Sequence, residues 1–102
     1  MNVLIMTDLE GISGIDKVEM VSEEGTLGHQ FALERLMFDV NAAVEGAFEG
    51  GADSVYVVDG HGSGKNFIKE MLDPRVEQFN NKNWLEMVRD GEINAYIEVG
   101  AH

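Results

Sequence analysis

The strongest constraint on the fold is the alternation of short apolar runs with one long helical pattern. The runs cover residues 3–6, 54–58 and 95–99, and short runs of this kind are typical of strands in a buried sheet. Residues 29–49 lie between the first two runs and repeat their apolar positions with a helical period. Because strands that alternate with helices predict βαβ units, we expect an α/β fold with a mostly parallel sheet and flanking helices.

The long helical pattern has one main apolar stripe and a smaller second apolar face. The stripe consists of Leu33, Leu36, Met37, Val40, Val44, Ala47 and Phe48. Gly50 and Gly51 supply the left-handed residue that commonly ends a helix. Phe31, Phe38 and Ala43 lie off the stripe, so we expect this helix to be covered on more than one side, as it would be in a homo-oligomer.

The remaining segments give weaker signals. Residues 11–26 hold three glycines and no sustained period, which predicts a long loop. Residues 75–79 are compatible with a short strand, and residues 84–89 with a short helix that ends at Asp90-Gly91. Because 102 residues without a repeat or a linker can build one modest core, we expect residues 1–102 to form a single α/β domain.

Charge and composition exclude several classes of function. Acidic residues outnumber basic ones by 19 to 7, and the formal net charge is −12. Such a surface repels phosphate backbones and anionic lipids, so we expect neither nucleic acid nor a membrane as partner. The chain has no cysteine, which excludes disulfides and thiolate ligands. The N-terminal sequence is typical of a strand and not of a signal peptide, so a cytoplasmic location is expected.

Residue types that bind metals come immediately after all three predicted strands. Asp8 and Glu10 follow the first strand, Asp59 and His61 follow the second, and His102 follows the third. In an open parallel sheet these positions share one edge, at the carboxyl ends of the strands, where such folds build their sites. Without cysteine, histidine and carboxylate are the ligands that suit zinc. The pattern therefore predicts a metal site made by Asp8, Glu10, His61 and His102.

Other interpretations of these residues explain fewer of them. The stretch GHGSGKN is not a phosphate-binding loop, because Asp59 stands where the first glycine is required and Asn66 where Ser or Thr is required. A magnesium-dependent phosphotransferase with Asp8 as nucleophile and Lys65 near the phosphate leaves two histidines unexplained. Asp59 is either a turn residue or a partner of the far nitrogen of a ligand histidine. His29 has no predicted partner and is taken as a surface residue.

Three segments of the sequence resemble the zinc-dependent D-aminopeptidase family of metallopeptidases. They are TDLEGISGI near the start, ERLMFDVNAAVEGAFEGGADSVYVVDGHG in the middle and VGAH at the end. The resemblance implies a two-zinc centre that Asp8 bridges and in which Glu10, His61 and His102 are ligands. It also implies hydrolysis of N-terminal D-amino acids from short peptides or amides by an oligomeric enzyme.

The resemblance further implies that the chain is the N-terminal part of a longer protein. Members of the family are more than twice this length, and their catalytic histidine and a glutamate ligand lie beyond the position of residue 102. We therefore expect a site that is incomplete in these 102 residues. The alternative is a non-catalytic module that binds metal, or that only folds and assembles with other chains.

Overall fold

The computed structural model describes residues 1–80 and 82–101. Within these residues the chain forms four strands and three helices, and the strands make one sheet in the order β3-β2-β1-β4. All three strand pairs are parallel. The α/β fold with a parallel sheet is therefore confirmed. The elements in chain order are β1 (Asn2–Thr7), α1 (Val18–Ser22), α2 (Leu27–Glu49), β2 (Ser54–Asp59), β3 (Glu77–Phe79), α3 (Asn83–Arg89) and β4 (Ala95–Val99).

The apolar run of β1 follows from its place inside the sheet. The strand pairs with β2 on one side and with β4 on the other, so that Leu4 lies opposite both Tyr56 and Tyr96. Val3, Leu4 and Ile5 are successive residues that point to alternate faces, and all three are buried. A strand that is covered on both faces has no solvent-exposed face. For this reason β1 does not alternate between apolar and polar residues.

Helix α2 packs the core against one face of the sheet. Thr26 caps its first turn by accepting a hydrogen bond from the backbone N–H of His29 at 3.1 Å. Gly51, with φ of 101°, follows its end as expected. The residues of α2 that are buried are His29, Ala32, Leu36, Met37, Val40, Val44 and Ala47, whereas Leu33 and Phe48 of the predicted stripe are only partly buried.

The predicted long loop over residues 11–26 is wrong in part. Residues 18–22 form the short helix α1, which packs on α2. The start of the segment is also held in place, because the backbone N–H and the hydroxyl of Ser13 both donate to the carboxylate of Asp39 on α2. A five-residue helix covers little more than one turn and shows no period, so its sequence gives no helical signal.

The interpretation of His29 as a surface residue is also wrong. Its side chain is buried, and its Nδ1 atom lies 2.9 Å from the backbone carbonyl oxygen of Met20 in α1. The contact exists because α1 folds back over the first turn of α2. Phe31 and Phe38 of the second apolar face remain exposed in the single chain.

None of the helices within residues 1–80 and 82–101 has both the length and the apolar character that crossing a bilayer requires.

Candidate metal centre

Backbone hydrogen bonds extend the sheet past the ends of its strands and bring the next residues together. The N–H of Asp8 donates to the carbonyl of Val99 at the end of β4, at 2.9 Å. On the other side of β1, the N–H of Gly60 donates to the carbonyl of Thr7, also at 2.9 Å. The segments that follow β1, β2 and β4 therefore meet at one edge of the sheet, as the topology of a parallel sheet requires.

Glycines permit this close approach. A Cβ atom on Gly60 would lie 2.6 Å from the carbonyl oxygen of Thr7. Gly100 has φ of 80° and its Cα lies against the carbonyl of Asp8, so that any side chain there would collide with that backbone. The carbonyl of Gly100 also accepts a hydrogen bond from the N–H of Gly11 at 3.0 Å. The polypeptide on both sides of Asp8 is thus packed backbone against backbone.

Asp8, Glu10 and His61 converge at this edge. The Nδ1 atom of His61 lies 3.0 Å from Oδ1 of Asp8 and 3.3 Å from Oε1 of Glu10. One potential ligand atom from each of the three residues lies within 4.8 Å of the others. Asp8 and His61 are partly buried, and Glu10 is exposed. A single cation could therefore contact all three side chains while one side of the site stays open to solvent.

The contact that Nε2 of His61 makes determines which ring nitrogen is directed at the two carboxylates. Nε2 lies 3.3 Å from the backbone carbonyl oxygen of Val21 in α1. Because a carbonyl only accepts hydrogen bonds, Nε2 carries the proton in this contact. Histidines that bind metals commonly donate their other N–H to a backbone carbonyl in this way. Nδ1 is then the nitrogen that faces the two carboxylates, where a metal would take the place of a proton shared with them.

The donor set and its spacing fit zinc. Two ligands of a tetrahedral zinc with bonds of about 2.0–2.1 Å lie about 3.4 Å apart. The distances from His61 Nδ1 to the two carboxylates, 3.0 and 3.3 Å, are close to that separation. A nitrogen with two carboxylate oxygens also suits zinc better than magnesium, which prefers oxygen alone. The three residues therefore form a suitable partial ligand set for a zinc ion.

Asp59 supports the loop that carries His61. Its carboxylate is buried and accepts hydrogen bonds from the backbone N–H of Asn66 at 2.5 Å and from the Asn66 side-chain amide at 3.0 Å. The same carboxylate accepts from the backbone N–H of His61 at 3.3 Å. Asn66 closes the loop by donating to the His61 carbonyl at 2.7 Å. Asp59 thus holds His61 by its backbone, whereas the ring nitrogens face Asp8, Glu10 and Val21.

His102, the fourth predicted ligand, lies outside the described residues. The structure does add two contributors that the residue pattern did not indicate, namely the carbonyl of Val21 and the side chain of Asn66. A backbone carbonyl has no signature in a sequence. Asn66, seven residues after Asp59, belongs to the glycine-rich stretch and gave no signal of its own.

A tyrosine and a glutamate on β4 lie near the same edge. The Tyr96 hydroxyl donates to the Glu98 carboxylate at 2.8 Å. Tyr96 as a residue is 45% exposed, but partial burial of its phenol, together with this hydrogen bond and the nearby negative charge, raises its pKa to about 12. A small cleft of about 140 Å³ lies between Glu98 and Asp8. The phenol therefore stays protonated at moderately alkaline pH and keeps its hydrogen bond to Glu98.

Comparison with known proteins identifies the family. A sequence profile described as D-aminopeptidase matches residues 1–102. The chain belongs to the D-aminopeptidase family. No curated protein matches the sequence.

The fold of this family member is also that of a solved structure, the Zn-dependent D-aminopeptidase DppA from Bacillus subtilis, a self-compartmentalizing protease. The TM-score is 0.85 at 23% sequence identity, and the match covers 100% of this chain. The chain spans 38% of the length of that protein. At this identity the likeness establishes the shared fold.

Proposed function

We propose that this family member takes part in zinc-dependent hydrolysis of N-terminal D-amino acids from short peptides or amides. The observation that carries the proposal is the convergence of Asp8, Glu10 and His61 on one point at the carboxyl edge of the sheet. Membership of the D-aminopeptidase family supports the reaction class. The Zn-dependent activity of the solved structure with the same fold supports the metal.

The proposed centre holds two zinc ions, and this chain supplies part of its ligands. Asp8 would bridge the ions, with Glu10, His61 and His102 completing the contribution of these residues. Because the chain spans 38% of the solved protein with the same fold, we propose that it is the N-terminal portion of a longer metallopeptidase. The catalytic histidine and a further glutamate ligand would come from outside residues 1–102.

The residues present would compensate the charge of the metal, orient the ring of His61 and hold the loop that carries it. Zinc bound here would polarise the scissile carbonyl, lower the pKa of a bound water and anchor the free amino group of the substrate. Asp8 and Glu10 offset the charge of the metal, and His61 adds a neutral nitrogen ligand. Asp59 keeps the His61 loop closed through its three hydrogen bonds. Val21 fixes the rotation of the His61 ring.

Self-association is part of the proposal. The solved structure with this fold is a self-compartmentalizing protease, and the exposed side chains of Phe31 and Phe38 on α2 offer an apolar surface to a second copy. We therefore propose a homo-oligomer. A cytoplasmic location and the absence of nucleic-acid and membrane partners remain predictions from the sequence.

A zinc titration with peptidase activity measured on the same sample tests the proposed function. The intact mass of the protein purified from its natural source gives its length, and that protein is assayed with D-alanyl and L-alanyl anilides. Cleavage of the D-substrate that is lost with a chelator and restored by zinc supports the proposal. The isolated 102-residue chain is expected to bind zinc but to cleave poorly.

Two other results would favour the alternatives. Zinc binding without cleavage of either anilide by the source protein would indicate a non-catalytic metal-binding or assembly module. Magnesium binding at Asp8 in preference to zinc, with transfer of a phosphoryl group, would indicate a phosphotransferase. The contact of His61 with both acids disfavours the second alternative, because magnesium prefers oxygen ligands.

A further inference from the structure

Two histidines hold successive carbonyl groups of the short helix α1. The Nε2 atom of His61 lies 3.3 Å from the carbonyl oxygen of Val21, and the Nδ1 atom of His29 lies 2.9 Å from the carbonyl oxygen of Met20. In both contacts the ring nitrogen must donate, because the carbonyl can only accept. Helix α1 is therefore held between one histidine that faces the candidate metal centre and another that faces the core.

His29 is the better anchored of the two. The residue is only 7% exposed, and its backbone N–H donates to the hydroxyl of Thr26 at the start of α2. Helix α2 is in turn locked to the sheet by buried residues such as Leu36, Val40 and Val44. The position of His29 is thus determined by the core of the protein.

Helix α1 has few anchors of its own. None of its five residues is fully buried, and only Met20 and Val21 pack partly against the core. The hydrogen bond from His29 to Met20 therefore determines much of where the neighbouring Val21 carbonyl lies. The His61 ring contacts that carbonyl. A shift of α1 at Met20 therefore moves the hydrogen-bond acceptor of the ring, which is only one peptide unit away.

We infer that His29 is a positioning residue for the candidate metal centre, because it fixes the Val21 carbonyl and thereby the rotation of the His61 ring. The inference rests on the proposed zinc site. It assigns His29 a role at a distance: His29 itself binds no metal, and its effect passes through α1. Loss of the His29–Met20 hydrogen bond would leave the ring of His61 free to rotate Nδ1 away from the two carboxylates.

The test is a pair of variants that differ in where they place a side-chain hydrogen-bond donor. In His29→Asn the side-chain amide nitrogen can occupy the place of Nδ1 and keep the bond to Met20. In His29→Gln the amide lies near the place of Nε2, so polarity is kept and the bond is lost. Val44→Ala, in the core part of α2 and away from α1, controls for general destabilisation.

Two readouts are needed, one with zinc and one without. Calorimetric zinc titration is expected to show a loss of about tenfold for His29→Gln, the lower end of what losing an outer partner of a ligand costs. His29→Asn and Val44→Ala are expected to stay within about threefold of the parent protein, below that range. In the metal-free protein, NMR signals of the His61 Nε2–H group are expected to show a weakened hydrogen bond to the Val21 carbonyl in His29→Gln alone.

The outcomes separate failure of the inference from failure of the proposed function. Equal zinc affinity and unchanged His61 ring signals in His29→Gln would overturn the inference, as would an equal loss in Val44→Ala. If the parent protein binds no zinc, the proposed function fails. The ring signals of metal-free protein then still decide whether His29 positions His61.

Discussion

The Nδ1 atom of His61 lies 3.0 Å from Oδ1 of Asp8, although 53 positions separate the two residues in the chain. The contact follows from the register of the central strand pair, in which Thr7 at the end of β1 lies opposite Asp59 at the end of β2. Asp8 follows the first of these residues directly, and His61 follows the second after Gly60. The register of the sheet thus brings the two side chains together.

Replacing Asp8 should remove metal binding while leaving the fold intact. In Asp8→Asn a neutral amide replaces a carboxylate that faces both His61 and the expected cation. We expect zinc affinity to fall by more than about 100-fold, the upper end of what losing an outer partner alone costs. Calorimetry measures the affinity, and circular dichroism checks the fold. Glu49→Gln at the exposed far end of α2 removes the same charge and should bind zinc normally.

Two glycine substitutions should have opposite effects. Gly100→Ala places a methyl group against the carbonyl of Asp8 at a residue with positive φ, so we expect a loss of at least about 1–3 kcal/mol in the free energy of unfolding. Gly46→Ala lies inside α2, where an added Cβ meets nothing within 4 Å, and should gain about 0.5–1 kcal/mol. Urea unfolding measures both. A neutral Gly100→Ala would contradict the close backbone packing around Asp8.

Asp59 should be needed for both stability and metal affinity. Asp59→Ala leaves the partly buried backbone N–H groups of Asn66 and His61 without their acceptor. We expect a loss of about 1–3 kcal/mol in unfolding free energy and a loss of about 10–100-fold in zinc affinity. Urea unfolding and calorimetry report the two effects. Asp90→Ala, at an exposed carboxylate beyond α3, is the matched control and should change neither.

The large elements of the fold could be predicted because their burial shows in their own sequence. Strand β1 and helix α2 lie against many neighbours, so the apolar run of residues 3–6 and the stripe that includes Val40 reflect the core directly. Helix α1 could not be predicted, since five residues show no period. The burial of His29 depends on α1 and was missed for the same reason.

The candidate site likewise has one part that the sequence predicts and one part that it does not. The convergence of Asp8, Glu10 and His61 follows from their places after two neighbouring parallel strands, which a sequence reveals. The contact between Val21 and His61 depends instead on the fold of the segment between β1 and α2. A backbone carbonyl is the same in every residue, so sequence cannot indicate which one the ring will meet.

Alkaline titration should detect the environment of Tyr96. Because burial and the hydrogen bond to Glu98 raise its pKa to about 12, folded protein binds this proton more tightly than unfolded protein, in which tyrosine has a pKa of about 10. The resulting stability is complete below pH 10 and is lost as the pH rises to 12. In a Tyr56→Phe background, Tyr96 is the single tyrosine, and ultraviolet absorbance follows its ionisation.

Glu98→Gln should lower the pKa of Tyr96 only in part, because burial is the larger cause and remains in the variant. Ionisation of Tyr96 near pH 10 in the Tyr56→Phe background, with Glu98 intact, would show that the phenol is not desolvated as described.

The most direct test of the central claim is anomalous diffraction from a crystal of the protein that has been soaked in zinc. The account predicts a zinc peak at about 2.0–2.2 Å from Nδ1 of His61 and from a carboxylate oxygen of Asp8 or Glu10, with Nε2 of His61 still bonded to the carbonyl of Val21. A crystal that binds zinc elsewhere, or through Nε2 of His61, and leaves Asp8 and Glu10 without metal would contradict it.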